Sequence, residues 1–200
     1  ILVFIGVFGY VYFISPEQTT MSGLHTANIN DELDPNQGRV YMGYSFVNID
    51  GFWYTQLKSP KGTKLYDMSI RYPPWELEEL RIEGYLNVEL FDNSDGYFVT
   101  FNPTGNDFSN VAVAIGDFNE HMLKTFDKTP TAACDRNQTA ACVGRPIVDC
   151  DSSGIVFYVK EAEENRIYYD DNCIVVEGSG LDLIKSVDRV LYNLYGMLGQ

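Results

Sequence analysis

Residues 1–14, ILVFIGVFGYVYFI, carry no charged side chain and are interrupted only by Gly6 and Gly9, in a chain of 200 residues with a formal net charge of -14. That contrast limits every reading of the chain. A bilayer span takes about 20 apolar residues, and this run is shorter. A secretion signal has a basic flank before its apolar stretch and small residues at its cleavage point. Here nothing basic precedes the run, and ISPEQTT comes after it. A buried core or donor element is the third option. The chain opens on Ile rather than Met, which leads us to expect that something precedes it. Ile1, Leu2, Val3, Phe4, Ile5, Val7, Phe8, Val11 and Phe13 would each gain roughly 1.5–3 kcal/mol on full burial. They run all round a helix rather than along one stripe. We therefore expect a helix over 1–14 that sits in membrane lipid as an anchor or packs against copies of itself in a filament core. Ser15-Pro16 should end it, because Pro disfavours the α conformation in the residue before it.

Beyond the apolar run the chain changes character twice. Residues 15–39 are polar, with Pro, Gly and Asn punctuation, and read as a linker in which His25 is solvated. Residues 40–200 read as one extracytoplasmic α+β domain. Its front half is β-rich. GFWYTQL and KLYDMSIRY flank the turn KSPKGT, which predicts a hairpin. PPWELEEL suits a short helix with Pro in its first turn. GYLNVELF and GYFVTFN around DNSDG predict a second hairpin.

After residue 110 the apolar period lengthens. Val111, Ile115, Phe118, Met122 and Phe126 mark a helix face, beside which His121 is partly buried or exposed. RPIVDC, GIVFYVKEA and RIYYDDNCIVVEG are strand-like. Ile184, Val187, Leu191, Leu194 and Leu198 stripe a last helix, with Asp182, Lys185, Asp188 and Arg189 expected on its far side and Ser179 with Asp182 as a capping box. Strands alternating with helices predict a βαβ-containing C-terminal half with a mixed sheet and a C-terminal helix.

Four cysteines, none in a Cys-x-x-Cys pair, are poor zinc spacing and fair disulfide arithmetic. Three connectivities are open to them. We expect Cys134 with Cys142 across a short loop, and Cys150 with Cys173 between the edges of strand-like runs. Asn137-Gln138-Thr139 is a glycosylation sequon within the smaller loop. The apolar run, the even cysteine count and the sequon together place the head in an oxidising space outside the cytoplasm.

The chemistry-bearing stretches are few. With 28 acidic against 14 basic residues, nucleic acid is a poor partner, since binding it rests on neutralising phosphates. Gly178-Ser179-Gly180 could present helix N–H groups to an anion, but the third glycine of a dinucleotide fingerprint is Leu183; a tight strand-to-helix turn fits better. Asp149, Asp151 and Ser153 alternate before Gly154 like the first half of a calcium loop, yet Lys160 stands where the bidentate acid belongs, leaving an incomplete metal set. No cofactor is otherwise indicated. Glu161, Glu163, Glu164, Asp170 and Asp171 suit a solvated sheet edge. Two histidines and no Gly-x-Ser-x-Gly elbow give a Ser-His-Asp triad little to draw on, and we expect no enzyme.

RPIVDCD, NCIVVEG and DLIKSVDRVLYNLYGM, behind a two-cysteine loop, make residues 97–198 resemble the tail of uncharacterised archaeal proteins that carry one N-terminal membrane segment and an exported domain. The resemblance implies a cell-surface protein and assigns no residue a role. The leading expectation is a membrane-anchored structural or interaction protein of the cell surface, contacting other envelope proteins or assembling into a surface filament. The rival is an extracytoplasmic glycan-binding module or hydrolase built on Trp53, Tyr54, Tyr66, Tyr72 and Trp75. Aromatics serve sugar faces, cores and interfaces alike. A cleft holding exposed Trp53 or Trp75 between two acids would favour the rival, while buried tryptophans and an exposed apolar N-terminus would favour the structural reading.

Overall fold

The computed structural model describes residues 20–200. Residues 1–19, including the expected anchor helix, lie outside the described residues. The fold is α+β, with one four-stranded antiparallel sheet and one six-stranded mixed sheet.

The expected linker carries a helix, α1 (Met21–Ile29), whose first turn is capped by Thr20 Oγ1 accepting from Gly23 N at 3.1 Å. Strands β1 (Gly38–Tyr41), β2 (Tyr44–Ile49), β3 (Phe52–Lys58) and β4 (Leu65–Ile70) come next as an antiparallel meander in the order β1-β2-β3-β4. Met42-Gly43 and Asp50-Gly51 make its first two turns, all four residues at positive φ; such two-residue turns match the twist of the strands they join. The hairpin expected around KSPKGT is present, with Lys58 opposite Leu65. PPWELEEL yields only a 3₁₀ turn, Pro74–Glu76.

The second expected hairpin is absent. β5 (Ile82–Leu86) and β6 (Gly96–Phe101) lie in one sheet with β7 (Thr129–Ala132), β8 (Val156–Glu161), β9 (Arg166–Asp171) and β10 (Cys173–Gly178), but four places apart, in the order β5-β9-β10-β8-β6-β7. A short helix, α2 (Val88–Asn93), stands between them, its N-terminus capped by Asn87 Oδ1 on Leu90 N at 3.0 Å. β5 pairs parallel to β9 (Arg166–Asp171) instead. The expected βαβ unit is β6, α3 (Phe108–Thr125) and β7 (Thr129–Ala132), with β6 and β7 parallel. β8 (Val156–Glu161) and β10 (Cys173–Gly178) run parallel to each other, and α4 (Gly180–Leu194) closes the domain. RPIVDC contributes one isolated bridge, Ile147 with Cys134.

The layers explain the burial. The helical side of the six-stranded sheet supplies Val99, Phe157, Ile174 and Val176 to a core shared with Phe118 of α3 and Leu183, Val187 and Leu191 of α4. The four-stranded sheet packs on the other side of the helices, where Phe46, Met68 and Ile70 enclose Tyr192, Met197 and Leu198. The disulfide-bonded segment covers part of the opposite face of the six-stranded sheet, over Val156, Cys173 and Val175. Helix α4 is thus enclosed from both sides. This overturns the expectation that Asp188 and Arg189 face water: they are 1% and 2% exposed. Asp188 Oδ2 accepts from the backbone N–H groups of Arg71 and Tyr72 at 3.1 and 2.9 Å. Arg189 Nε donates to Leu80 O at 2.7 Å and its Nη2 donates to Gly199 O. Ser179 makes no side-chain cap, so the expected capping box is not formed.

Candidate functional site

In open sheets with parallel strands, ligands sit at the carboxyl ends of the strands where the connections diverge. Here β6 leads by way of α3 to β7 on one side, and β8 leads by way of β9 to β10 on the other. The divergence falls between β6 and β8, beside Phe101 and Glu161. The chain's own acids fill it. Glu161 Oε2 accepts from the N–H groups of Asn106 and Asp107 at 2.8 and 2.9 Å. Asp107 Oδ2 in turn accepts from Gly180 N, at the start of α4, at 2.6 Å, while Asn110 Nδ2 donates to Asp107 Oδ1 at 2.6 Å. The Gly180 and Asn110 bonds hold the Asp107 carboxyl below the usual carboxylate range. The Gly178-Ser179-Gly180 turn is therefore a strand-to-helix turn with an internal carboxylate on the helix N–H. An outside anion would have to displace carboxylates already tethered in place.

The polar face of the four-stranded sheet brings together residues that sequence reading left apart. His25 of α1 is 2% exposed, not solvated. Its Nδ1 lies 2.9 Å from Ser45 Oγ, and its Nε2 lies 3.9 Å from Asp67 Oδ1. These are the residue types of a nucleophilic triad, but the geometry is that of a fastener. The 3.9 Å gap is too long for a hydrogen bond, and Asp67 Oδ1 instead accepts from Gln56 Nε2 at 2.9 Å. Ser45 Oγ also accepts from Asn28 Nδ2 at 2.7 Å. Burial lowers the His25 pKa, partly offset by Asp67.

A second histidine is equally internal. His121, 1% exposed, has Nε2 3.0 Å from the Ser69 carbonyl and Nδ1 2.6 Å from Tyr195 Oη. A carbonyl only accepts, so Nε2 carries the proton and Nδ1 accepts from the tyrosine. Burial lowers the pKa of this imidazole. Thr125 Oγ1 donates to the His121 carbonyl and lies 2.8 Å from Tyr195 Oη. The group joins α3, α4 and β4.

An open cleft of about 570 Å³ lies beside α1, β1, β3 and the Pro74–Glu76 turn. Trp53 and Trp75 meet there edge to face, with ring centres 4.9 Å apart at 84°. The Arg39 guanidinium lies 4.8 Å from the centre of the Trp75 ring. Phe46 backs Trp75 at 5.9 Å. Asp31 and Glu76, both exposed, contribute carboxylates to the lining, and Asn28 contributes a buried amide.

Both expected disulfides, Cys134–Cys142 and Cys150–Cys173, are formed. Asn137 is exposed on the smaller loop, and Thr139 Oγ1 donates to Cys142 Sγ. The calcium-like stretch folds back on itself: Asp149 Oδ1 accepts from Asp151 N and Ser152 Oγ at 3.2 and 3.1 Å, while Ser153 is exposed. Among the described residues, no group of three or more His, Cys, Asp or Glu is placed to hold a metal, and no helix is long and apolar enough to cross a membrane. The chain matches no family model, no curated protein and no solved structure.

Proposed function

We propose that this is a non-catalytic, membrane-anchored protein of the cell surface, with a disulfide-bonded head that makes contacts outside the cytoplasm. The observation that carries the reading is the pair of disulfides with no free cysteine among the described residues, since such bonds persist in oxidising compartments. The apolar run 1–14 supplies the attachment, in lipid or against copies of the chain. Exposure of Asn137 suits a sequon that could be glycosylated there. The filled crevice between β6 and β8 fits a head that binds by its surfaces rather than by chemistry at its strand ends.

Fractionation of cells producing the full chain tests this. The protein should stay with membranes or sedimenting filaments through carbonate extraction, and denatured protein should offer no thiol to iodoacetamide until reduced. A chain starting at residue 15 should leave the pellet with both disulfides intact. Full-length protein in the soluble cytoplasmic fraction with four reactive thiols would overturn the proposal. Negative-stain microscopy of the extracted material separates lipid anchoring from self-assembly.

A further inference from the structure

We propose that the cleft holding Trp53 and Trp75 binds a neutral pyranose oligosaccharide. Binding there does not depend on how the chain is anchored, so a protein that takes up sugar but is found in the soluble fraction would overturn the anchoring and leave the cleft assignment standing.

Three observations meet in the cleft. The first is aromatic. Two indoles crossing at 84° make a corner rather than a flat plate. A pyranose presents an apolar C–H face and a rim of hydroxyls, and such a corner covers one face and part of the rim. The second is a buried amide with an acceptor to spare. Asn28 is 4% exposed and lines the cleft. Its Nδ2 is committed to Ser45 Oγ and to the Phe46 carbonyl, at 2.7 and 3.1 Å, which fixes the direction of Oδ1. No described residue donates to that oxygen. Covering an acceptor without supplying a donor is costly, and a sugar hydroxyl supplies one. Gly38 makes room for the amide itself: a Cβ there would stand 2.4 Å from Asn28 Oδ1. The third is the polar lining. Asp31 and Glu76 are acceptors and Arg39 is a donor, the complement that hydroxyl groups need.

The same residues argue against other ligands. Phosphorylated or acidic ligands would meet Asp31 and Glu76 on a chain of net charge -14. A cation would compete with Arg39, whose guanidinium already lies against Trp75. The volume of about 570 Å³ lies within the ~300–1,000 Å³ typical of small-molecule sites.

The chain has only two tryptophans, and both line this cleft, so indole emission, excited at the long-wavelength edge where tyrosine does not absorb, reports on the site alone. The full-length protein, in detergent if needed, is titrated with cellotriose, maltotriose, chitotriose and mannotriose, and separately with tetramethylammonium. At least one sugar should shift the emission saturably. Glu76→Ala removes an exposed side chain that makes no described structural bond, so its melting temperature should match that of the parent. It should weaken the sugar by roughly 10–100-fold, as expected for losing a hydrogen bond to a charged group. Trp53→Phe should leave a Trp75 signal that responds more weakly. An emission unmoved by all four sugars would overturn the proposal. So would an unchanged titration in Glu76→Ala, or a response to tetramethylammonium alone, which would make the corner a cation cage.

Discussion

Replacing Asp188 by Asn should stabilise the protein, and the effect should grow with pH. Asp188 sits on α4 where the four-stranded sheet covers it, and burial pushes its carboxyl up to about 8. Asp117 pushes the same way, while the N–H groups of Arg71 and Tyr72 and the Arg71 charge oppose it. Arg71 cannot neutralise it fully, because its guanidinium is spent on Asp117 at 2.6 Å. The folded pKa lies above the unfolded one, so the native state holds a proton that the unfolded chain has released. The resulting stability is fully present below the unfolded pKa, near 4, and is lost as pH rises towards 8. The rise from an ordinary 3.8 to about 8 spans about four pH units, each worth about 1.4 kcal/mol, so the loss across the window is on the order of 6 kcal/mol. Asparagine mimics the protonated acid: its Oδ1 can accept the same two N–H bonds and it has no proton to lose. Urea unfolding of parent and Asp188→Asn at acid, neutral and mildly alkaline pH gives the answer, because subtraction cancels groups common to both, including His121. The two proteins should be close at acid pH, with the variant ahead by a few kcal/mol at alkaline pH. A variant less stable than the parent at alkaline pH would show that the fold uses an ionised Asp188, and burial would not be the dominant influence on it.

Three further outcomes rest on the packing. Leu191→Ala, at a fully buried position in the main core, should cost about 2–5 kcal/mol by urea unfolding; a loss under about half a kcal/mol would mean the site collapses or is not in the core. Replacing Cys150 and Cys173 together by Ser opens a loop of sequence separation 23 and should cost about 3 kcal/mol in the chain-entropy model; an unchanged urea midpoint would count against it. His121 should titrate by NMR below its ordinary value of 6.5, because burial disfavours its charge. Its contribution to stability is present above 6.5 and lost as pH falls through the depressed folded value; an imidazole still charged at neutral pH would contradict the tautomer assigned from Ser69 and Tyr195.

The parts of the fold legible in sequence are those set by local periodicity. The stripes of α3 and α4 and the strands of the β3–β4 hairpin are of this kind, while the cysteine pairings follow from an even count, a short loop and neighbouring strand edges. What periodicity cannot say is how many faces of an element are covered. Asp188 and Arg189 look like the wet side of an amphipathic helix, and only the second sheet reverses that. Helix α1 escaped because the residues it buries, His25 and Asn28, are polar. DNSDG carries turn residues that serve a helix end as readily as a hairpin, and only Asn87 hinted at a cap. The internal carboxylates escaped because Glu161 and Gly180 reach Asp107 from 54 and 73 residues away. Trp53 and Trp75 stand out in the sequence as aromatics suited to a sugar, but the cleft they line is built from four separate segments.

Helix α4, flanked by both sheets, also sets the order in which the molecule can be made. Its residues 180–194 supply the side chains on which both the four-stranded and the six-stranded sheet close. Until α4 is made, α3 covers only part of the apolar face of the six-stranded sheet, and Phe46, Met68 and Ile70 of the four-stranded sheet lack Tyr192. Domains generally fold as units, and this one has no finished unit until α4 arrives. A chain crossing a membrane N-terminus first would therefore present open, threadable polypeptide until α4 has crossed. Folding and closure of Cys150 with Cys173 would then fall together, on the far side, once residues 180–194 have crossed.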